Sequence, residues 1–266
     1  MAIITISRGS YSKGREIAEH VASRLGYDCF SRDALIEASE QFNIPEVKLV
    51  RALHDAPGVL DRFHSGKQRY VAFIQEAFLS HVQRDNVVYH GLAGHFFLRS
   101  VAHTLKVRII ADLEDRVQTE MARVKVDEET ARSILKKDDA ERRRWALSLY
   151  GIDTGDCRLY DLVLHIRKFT EEDAVDFICD TVSREQFKTT PESQKQLEDL
   201  LTAARAKSAI VAKWPNAETD CEDGLVFVSV ATVLSREKQV VQEITGLVKD
   251  IEGVTGVRVN IRPRWK

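Results

Sequence analysis

The N-terminal two thirds of the chain alternate short apolar runs with stretches in which apolar residues recur every three or four positions. Residues 2–7 form a nearly continuous, isoleucine-rich run, which is typical of a central parallel strand buried on both faces. After a turn-prone segment, the spacing of Ile17, Val21 and Leu25 predicts a helix that ends at Gly26. The same alternation predicts strands at 86–89, 106–111 and 160–166, helices at 115–124, 127–149 and 171–182, and mostly helical structure over 32–84. This order indicates an α/β fold with a doubly wound parallel sheet.

A second unit is predicted behind a break in this pattern. Apolar periodicity lapses over residues 184–191, which predicts a linker. Beyond it, the pattern predicts a helix at 193–207, strands at 209–214 and 225–233, a helix at 237–251 and a strand at 257–262. Roughly 70 residues can close a small core of their own. We therefore expect two domains, residues 1–185 and a small α+β module over 192–266.

Composition narrows the class of protein. The 266 residues carry a formal net charge of −2 and 44% hydrophobic residues, which argues against a general nucleic-acid binder and for a sizeable core. Four cysteines occur without a CxxC pair, so reduced thiols are expected rather than a disulfide framework or structural zinc site. No basic segment followed by a long apolar one opens the chain, and no run of 18 apolar residues occurs. These features predict a soluble cytoplasmic protein without a transmembrane segment.

The loop after the first strand carries the clearest chemistry. Gly9 and Gly14 lie five positions apart between a predicted strand and helix, which is the spacing of a P-loop. Backbone N–H groups and the helix N-terminus favour a polyphosphate there. The candidate phosphate-binding residues are Gly9, Ser10, Tyr11, Ser12, Lys13, Gly14, Arg15 and Glu16. The alternative interpretation is a charged strand-to-helix turn without a ligand.

This loop departs from the common P-loop pattern. Arg15 stands where a lysine is usual, and Glu16 where a serine or threonine would hold magnesium. Lys13 lies two positions before that site and is the alternative phosphate cation. Tyr11 stands mid-loop, where small residues let the backbone approach phosphate. The sequence leaves open whether Lys13 or Arg15 takes the role of the lysine.

The run ITISRGSYSKGREIA resembles the start of the cytidylate kinase-like family, in Ser7, Arg8 and the segment Gly14-Arg15-Glu16-Ile17-Ala18. The similarity extends through YDLVLHIRKFTEEDAVDFI and covers about residues 2–183. The resemblance implies a P-loop kinase domain with a helical lid, which transfers the γ-phosphoryl group of ATP, with Mg²⁺, to a nucleoside monophosphate such as CMP. Because phosphoryl transfer depends on positioning and positive charge, arginines are the residues to follow.

The family pattern implies roles for residues outside the loop. Arg32, Asp33, Arg69 and His90 are candidates for binding the acceptor nucleotide, while Arg116, Arg123 and Arg142 are candidates for contacting the transferred phosphoryl group. The segment from Asp139 to Arg142 resembles the Asp-x-x-Arg of the lid. The plainer alternatives are that Ser31 caps a helix with Asp33 in its first turn, that His90 merely ends a strand, and that the charged helix is a solvated face.

The segment after the middle strand fits the family least. Cytidylate kinases carry Asp-Gly-Arg-Asp there, whereas this chain has His90 and Leu92 at the positions of the first aspartate and the arginine. Metal binding by His90, His95 and His103 is a further hypothesis that no spacing supports. A catalytically weak or inactive nucleotide sensor is therefore the alternative to a kinase, and a kinase of another small phosphate acceptor is a third hypothesis.

The C-terminal module resembles a BON domain in its strand from Gly224, in Ser235 as a helix N-cap, and in the segment from Gly253 to Ile261. That resemblance implies a module that binds another protein, a ligand or a phospholipid surface. Basic residues in the tail (Arg258, Arg262, Arg264 and Lys266) suit either an anionic ligand or a solubilising end. A homo-oligomer remains an open alternative.

Overall fold

The computed structural model describes residues 2–9, 13–31, 66–91 and 93–263. A five-stranded parallel sheet forms the N-terminal part, in the order β2-β3-β1-β4-β5. Its strands are β1 (Ile3–Arg8), β2 (Asp28–Ser31), β3 (Val87–His90), β4 (Thr104–Ala111) and β5 (Leu162–Ile166). The expected doubly wound parallel α/β architecture is confirmed.

The helices cover both faces of this sheet because its central strand is apolar on both sides. Ile4 and Ile6 pack with α1 (Gly14–Leu25) and α6 (Glu171–Val182). Ile3, on the opposite face, lies in a second core with α2 (Gly66–Val82) and α7 (Pro191–Ile210). Parallel strands buried on both faces are expected to be continuous apolar runs, as β1 is.

Two charged segments of the sequence that follow β4 form the helices α4 (Leu113–Val124) and α5 (Glu128–Tyr150). They pack together through Val117, Ala131 and Leu135. The far end of α5 is anchored by Trp145, whose ring meets Tyr70 of α2 edge-on with 5.7 Å between centroids. The predicted charged helix is thus fixed at both ends by apolar contacts. A short helix, α3 (Gly94–Phe97), completes this part of the chain.

The C-terminal module contains a three-stranded sheet in the order β6-β7-β8, with β6 (Glu218–Glu222) antiparallel and β8 (Gly256–Pro263) parallel to β7 (Leu225–Thr232). Helices α7 and α8 (Glu237–Val248) supply its core together with the apolar face of the sheet. This confirms an α+β arrangement, whereas the BON-like assignment stays a prediction.

Helix α7 belongs to both cores. Its residues Leu197, Leu201 and Ala204 pack against the N-terminal sheet, while Ala206 and Ile210 pack in the C-terminal core. A capping box of Thr190 and Ser193 starts this helix, with Pro191 in its first turn. The proposed division between residues 185 and 192 remains a prediction, but the helix that follows it joins the two sheets.

Two sequence-based expectations are wrong, and two strands are not predicted at all. Residues 209–214 are not a strand: Ile210 ends α7, and the Trp214 amide donates to the Ile210 carbonyl at 2.9 Å. Strands β2 and β6 were not predicted, because each buries a single residue, Phe30 or Cys221. Ser235 does not cap α8; it lies in a 3₁₀ turn, and Arg236 holds the cap position.

Among the described residues, no helix combines the length and the apolar character needed to cross a bilayer.

Candidate active site

The carboxyl ends of the five parallel strands lie along one edge of the N-terminal sheet. The chain leaves β1 for strands on one side of it and later crosses over to β4 on the other side. Ligands of open parallel sheets bind at such a reversal of strand order, outside the carboxyl ends. Arg8, His90 and Ala111 stand at the carboxyl ends of the three central strands.

A cavity of about 510 Å³ opens at this edge. Its floor comes from the ends of β1 and β4, and its roof from α4, α5 and the loop after α5. The lining residues are Arg8, Gly9, Arg108, Ile110, Ala111, Arg116, Asp139, Arg142, Arg143, Asp153, Thr154 and Gly155. The volume falls within the roughly 300–1,000 Å³ typical of small-molecule sites.

Positive charge dominates the cavity wall. Five arginines face two aspartates, which leaves a surplus of three formal positive charges. Arg116, whose side chain is only 10% exposed, donates from Nη2 to Asp139 Oδ2 at 2.8 Å. Arg143 pairs with Asp153. A guanidinium group can donate two parallel hydrogen bonds to one phosphate, and it is only weakly hydrated, so that little hydration energy is lost on binding. A wall of arginines therefore suits a polyphosphate.

The loop after α5 is held in place by its own hydrogen bonds. Asp153 accepts from the Gly155 amide at 2.9 Å, and this bond, followed by the Arg143 guanidinium, lowers the pKa of the Asp153 carboxyl below its usual range. Arg108 donates to the Thr154 carbonyl and to the Tyr160 hydroxyl, the latter at 3.0 Å. The Arg108 guanidinium also lies 5.4 Å from the centre of the Tyr160 ring. Arg108 is therefore oriented before any ligand binds.

Tyr160 connects this network to β1. Its hydroxyl lies 3.2 Å from Ser7 Oγ, which it reaches as a donor, and 3.0 Å from the Thr154 carbonyl. Ser7 immediately precedes Arg8 in the strand that leads into the glycine-containing loop. The ends of β1 and β4 and the loop after α5 thus form one connected wall.

The two loop glycines occupy different settings. A Cβ at Gly9 would lie 3.7 Å from Arg116 Nη1, an ordinary contact that places this backbone beside the arginine cluster. A Cβ at Gly14 would come within 2.7 Å of both Cβ and Cδ of Arg8, so only glycine fits there without a shift. Gly14 is therefore needed for the close approach of α1 to the end of β1. Residues 10–12 of the predicted phosphate loop, Ser10, Tyr11 and Ser12, lie outside the described residues.

Lys13 and Arg15 do not line the cavity. Lys13 is the residue before α1 and has φ +64°, a left-handed conformation that glycine adopts more readily. Its ammonium group lies 3.2 Å from Glu171 Oε1 at the start of α6. Arg15 pairs with Glu19 one turn along α1, with its side chain 65% exposed. Glu16 is also exposed on this helix. Their predicted phosphate roles stay predictions.

The remaining predicted residues are divided between several places. Arg116 and Arg142 line the same cavity, and their role in phosphoryl transfer stays a prediction. Arg123, two turns further along α4, does not line it and pairs with Glu120 at 2.8 Å. Arg69 lies on α2, and His90 ends β3 next to Ile6 of β1. Arg32 and Asp33 lie outside the described residues.

The three histidines do not form a metal site: over the described ranges, no group of three or more His, Cys, Asp or Glu side chains could hold a metal ion. His95 packs between Phe96 and Tyr160, and burial, assisted by the Arg108 charge, lowers its pKa to about 3. His103 is buried, with Nδ1 2.7 Å from Ser193 Oγ, and burial lowers its pKa as well.

Sequence reasoning missed Arg8, Arg108 and Asp153 as cavity residues. Arg8 could have been selected from the sequence, because it belongs to the segment that resembles the family and lies at the end of β1. Arg108 had a recognisable signal, because it and Lys106 are charged residues within the largely apolar strand β4. Asp153 carried no comparable signal, because only the path of the loop after α5 brings it to Arg143.

Comparison with known proteins shows which family the chain resembles. Residues 3–168 match the profile of the cytidylate kinase-like family. The chain is 34% identical over 101 residues to cytidylate kinase from Methanosarcina acetivorans, which covers 37% of this chain and 54%, about half, of that enzyme. It is 25% identical to cytidylate kinase from Methanothermobacter thermautotrophicus over 64% of this chain and 98% of that enzyme.

Among solved structures, the fold resembles an uncharacterized protein from Eubacterium ventriosum, with a TM-score of 0.54 and 22% identity over 69% of this chain and all of that chain. This similarity concerns the fold alone. The family profile covers more than half of the chain and includes β1, Gly14 and the cavity residues from Arg108 to Gly155. The chain therefore belongs to the cytidylate kinase-like family.

Proposed function

We propose that the protein transfers the γ-phosphoryl group of ATP to a nucleoside monophosphate, with CMP as the first candidate. The arginine-lined cavity at the carboxyl edge of the sheet carries this proposal. In phosphoryl transfer the protein mainly positions the two substrates and neutralises charge on the equatorial oxygens. Five guanidinium groups around one cavity supply that charge.

In this proposal, different residues bind the transferred phosphoryl group, the ATP phosphates and the acceptor nucleotide. Arg116 and Arg142 bind the phosphoryl group in transfer, with Arg8, Arg108 and Arg143 around them. The loop from Gly9 to Glu16 binds the ATP phosphates, and Lys13 and Arg15 neutralise charge from its outer side. Arg123 is a further candidate for the transfer step. Arg32, Asp33, Arg69 and His90 are the candidates for holding the acceptor nucleotide.

The donor chemistry of the cavity fits ATP and Mg²⁺. Mg²⁺ in kinases is bound by one or two carboxylates together with phosphate oxygens, and Asp139 and Asp153 are the carboxylates of this wall. When bound, the ion would supply positive charge that stabilises the phosphate groups during transfer. The lid helix α5, which carries Asp139, Arg142 and Arg143, would exclude water from the phosphates.

A nucleotide sensor with little or no turnover is the second candidate. It is favoured by His90 at the end of β3, where the family's kinases carry an aspartate, and by the ion pairs that already engage Arg116 and Arg143. In that case the C-terminal module, joined to the kinase fold through α7, would report nucleotide binding to a partner.

The first experiment mixes the protein with ATP, Mg²⁺ and each nucleoside monophosphate in turn, and measures ADP formation. ADP that forms with one acceptor only establishes the kinase and identifies its substrate. Binding of ATP by calorimetry without ADP formation for any acceptor would contradict the nucleotide-kinase proposal and leave the sensor and a kinase of a non-nucleotide acceptor.

Substitutions on one helix connect that activity to the cavity. Arg142→Ala should lower kcat by about 10²–10³, as loss of one donor to a developing charge does in other enzymes. Arg144→Ala is the matched control, because this exposed arginine lies two residues along α5 and does not line the cavity. Equal losses in both variants would indicate that general helix charge, rather than the cavity, supports turnover.

A further inference from the structure

The C-terminal sheet has one face in the core, and no helix or strand of the described residues packs on its other face, called the open face below. Val226, Val228 and Val230 of β7 point into the core with α7 and α8. The alternate residues of the same strand point away from it and are half-buried or exposed: Leu225, Phe227, Ser229 and Ala231. A sheet face that leaves apolar side chains partly exposed is a candidate interaction surface.

Charges on the open face are sorted by strand. Strand pairing places Glu218, Asp220 and Glu222 of β6 on the same side as these β7 residues, and all three are exposed. On the other side of β7, pairing adds Arg258, Asn260 and Arg262 of β8, which are exposed too. The face therefore has an acidic edge, a central strand of apolar and small residues, and a basic edge.

One row across the strands combines all three features. Asp220 pairs with Phe227, and Phe227 pairs with Arg258. The Arg258 guanidinium lies 6.0 Å from the centre of the Phe227 ring. One step further along β7, where the side chains are small, Arg262 reaches across to pair with Glu218. The Phe227 row thus presents an acid, an aromatic ring and a base side by side.

We propose that this face binds a second copy of the chain, with the two sheets stacked face to face around a two-fold axis parallel to the strands. Rotation about that axis exchanges the two edges, so the acidic β6 edge of each copy lies over the basic β8 edge of its partner. A two-fold axis perpendicular to the strands would place acid over acid and base over base. The charge pattern therefore selects one self-complementary arrangement.

The strand register defines the central contacts of this dimer. An axis along β7 preserves the level of each residue, so Phe227 meets Phe227 of the other copy near the axis. Asp220 of each copy then lies opposite Arg258 of the other, which makes two identical charge pairs beside a stacked aromatic pair. Aromatic and arginine side chains are the residues that most often anchor protein interfaces.

The size of the face sets the expected strength. With β7 and β8 eight residues long and β6 five, about 3.3 Å per residue and about 4.8 Å between strands give a face of roughly 330 Å² per copy. This is less than half of the ~800 Å² per partner that stable complexes bury. The dimer should therefore be weak and should dissociate as salt screens the edge charges.

Charge reversal in the full chain tests the arrangement, with sedimentation equilibrium over a concentration series as the measurement. Asp220→Arg and Arg258→Asp, each alone, place like charges opposite each other at both pairs, and each should weaken the dimer by at least about tenfold. An equimolar mixture of the two variants restores opposite charges at both pairs and should dimerise as the wild type does. Lys238→Glu, an exposed charge on α8 away from the open face, is the control and should leave the association constant unchanged.

The outcomes separate cleanly. Weakening by each reversal and recovery in the mixture supports the two-fold dimer. A wild type that stays monomeric at every concentration overturns it and leaves the face to a different partner. A dimer that neither reversal weakens, or that the mixture does not restore, also overturns it, because the contact then lies elsewhere. Circular dichroism of each variant verifies that the module is folded.

Discussion

At the scale of single residues, the site depends on one close approach between backbone and side chain. Gly14 lets α1 begin directly against the side chain of Arg8, which lines the cavity. Arg116, Arg143 and Arg108 are each oriented by a named acceptor, respectively Asp139, Asp153 and the Thr154 carbonyl. The cavity is thus largely preorganised, since the groups that would meet a phosphate are already held by neighbours.

Gly14→Ala should expose this dependence. The added Cβ would lie 2.7 Å from two carbons of Arg8, so strand or helix must move. We expect a loss of about 1–3 kcal/mol in the free energy of unfolding, as for other overpacked sites. We also expect weaker ATP binding, because Arg8 is displaced. Denaturant unfolding and calorimetry measure the two effects.

Gly246→Ala is the matched control for that substitution. Gly246 lies within α8, and a Cβ there meets no atom within 4 Å. Because alanine is favoured over glycine inside a helix, this variant should gain up to about 1 kcal/mol and bind ATP unchanged. A Gly14→Ala protein as stable as Gly246→Ala would show that the contact with Arg8 is not restrictive.

At the scale of elements, α7 connects the two sheets. One side of the helix covers the N-terminal sheet through Leu197 and Leu201, and the other contributes Ala206 and Ile210 to the C-terminal core. Because α7 is part of two cores, its unfolding would expose apolar residues of both cores to water. We therefore expect the two parts of the chain to unfold in a single cooperative transition.

Leu201→Ala tests this coupling. Leu201 is 1% exposed, and its truncation should cost about 2–5 kcal/mol and lower the unfolding temperature of both parts together. Leu234→Ala, at a leucine that is 59% exposed, should change stability by less than about 0.5 kcal/mol. Two separate transitions in calorimetry, with only one shifted by Leu201→Ala, would contradict a shared helix.

At the scale of the whole molecule, a nearly neutral chain concentrates positive charge in one place. The net formal charge is −2, yet the cavity wall carries a surplus of three positive charges. Buried histidines add a pH dependence of their own. His95 and His103 both lie in the chain segment that links β3 to β4, and burial lowers the pKa of both.

Acid should therefore destabilise the fold. The unfolded chain takes up protons on these histidines near pH 6.5, whereas folded His95 does so only near its pKa of about 3. The stability that neutral His95 contributes is fully present above about pH 6.5 and is lost as the pH drops towards 3, by up to about 1.4 kcal/mol per pH unit. The lowered pKa of His103 acts in the same direction. Denaturant unfolding between pH 7 and 4 measures this slope, and His95→Gln should reduce it. An unchanged slope would mean that His95 is not the group responsible.

Much of the fold follows from local sequence patterns. The strands and helices from β1 to α6 were predicted wherever apolar spacing was continuous, because both faces of a parallel sheet must be buried. The two unpredicted strands, β2 and β6, lie at sheet edges and bury little. Pairing with a neighbouring strand, which no local pattern reports, makes them strands.

Some residues of the candidate site could be predicted from the sequence, and others could not. Gly9, Gly14, Arg116 and Arg142 could be selected from the sequence, because loop spacing and family resemblance depend on the order of residues along the chain. Arg8, Arg108 and Asp153 belong to the cavity only through tertiary structure, which brings the ends of β1 and β4 against the loop after α5. The orientation of Lys13 towards Glu171, away from that wall, was equally a matter of packing.

Sequence by itself determined which elements form and which charges are available, since these depend on neighbours along the chain. Only the tertiary structure decided which charges share one cavity, since that depends on distances between residues far apart in the sequence, such as Arg8 and Asp153.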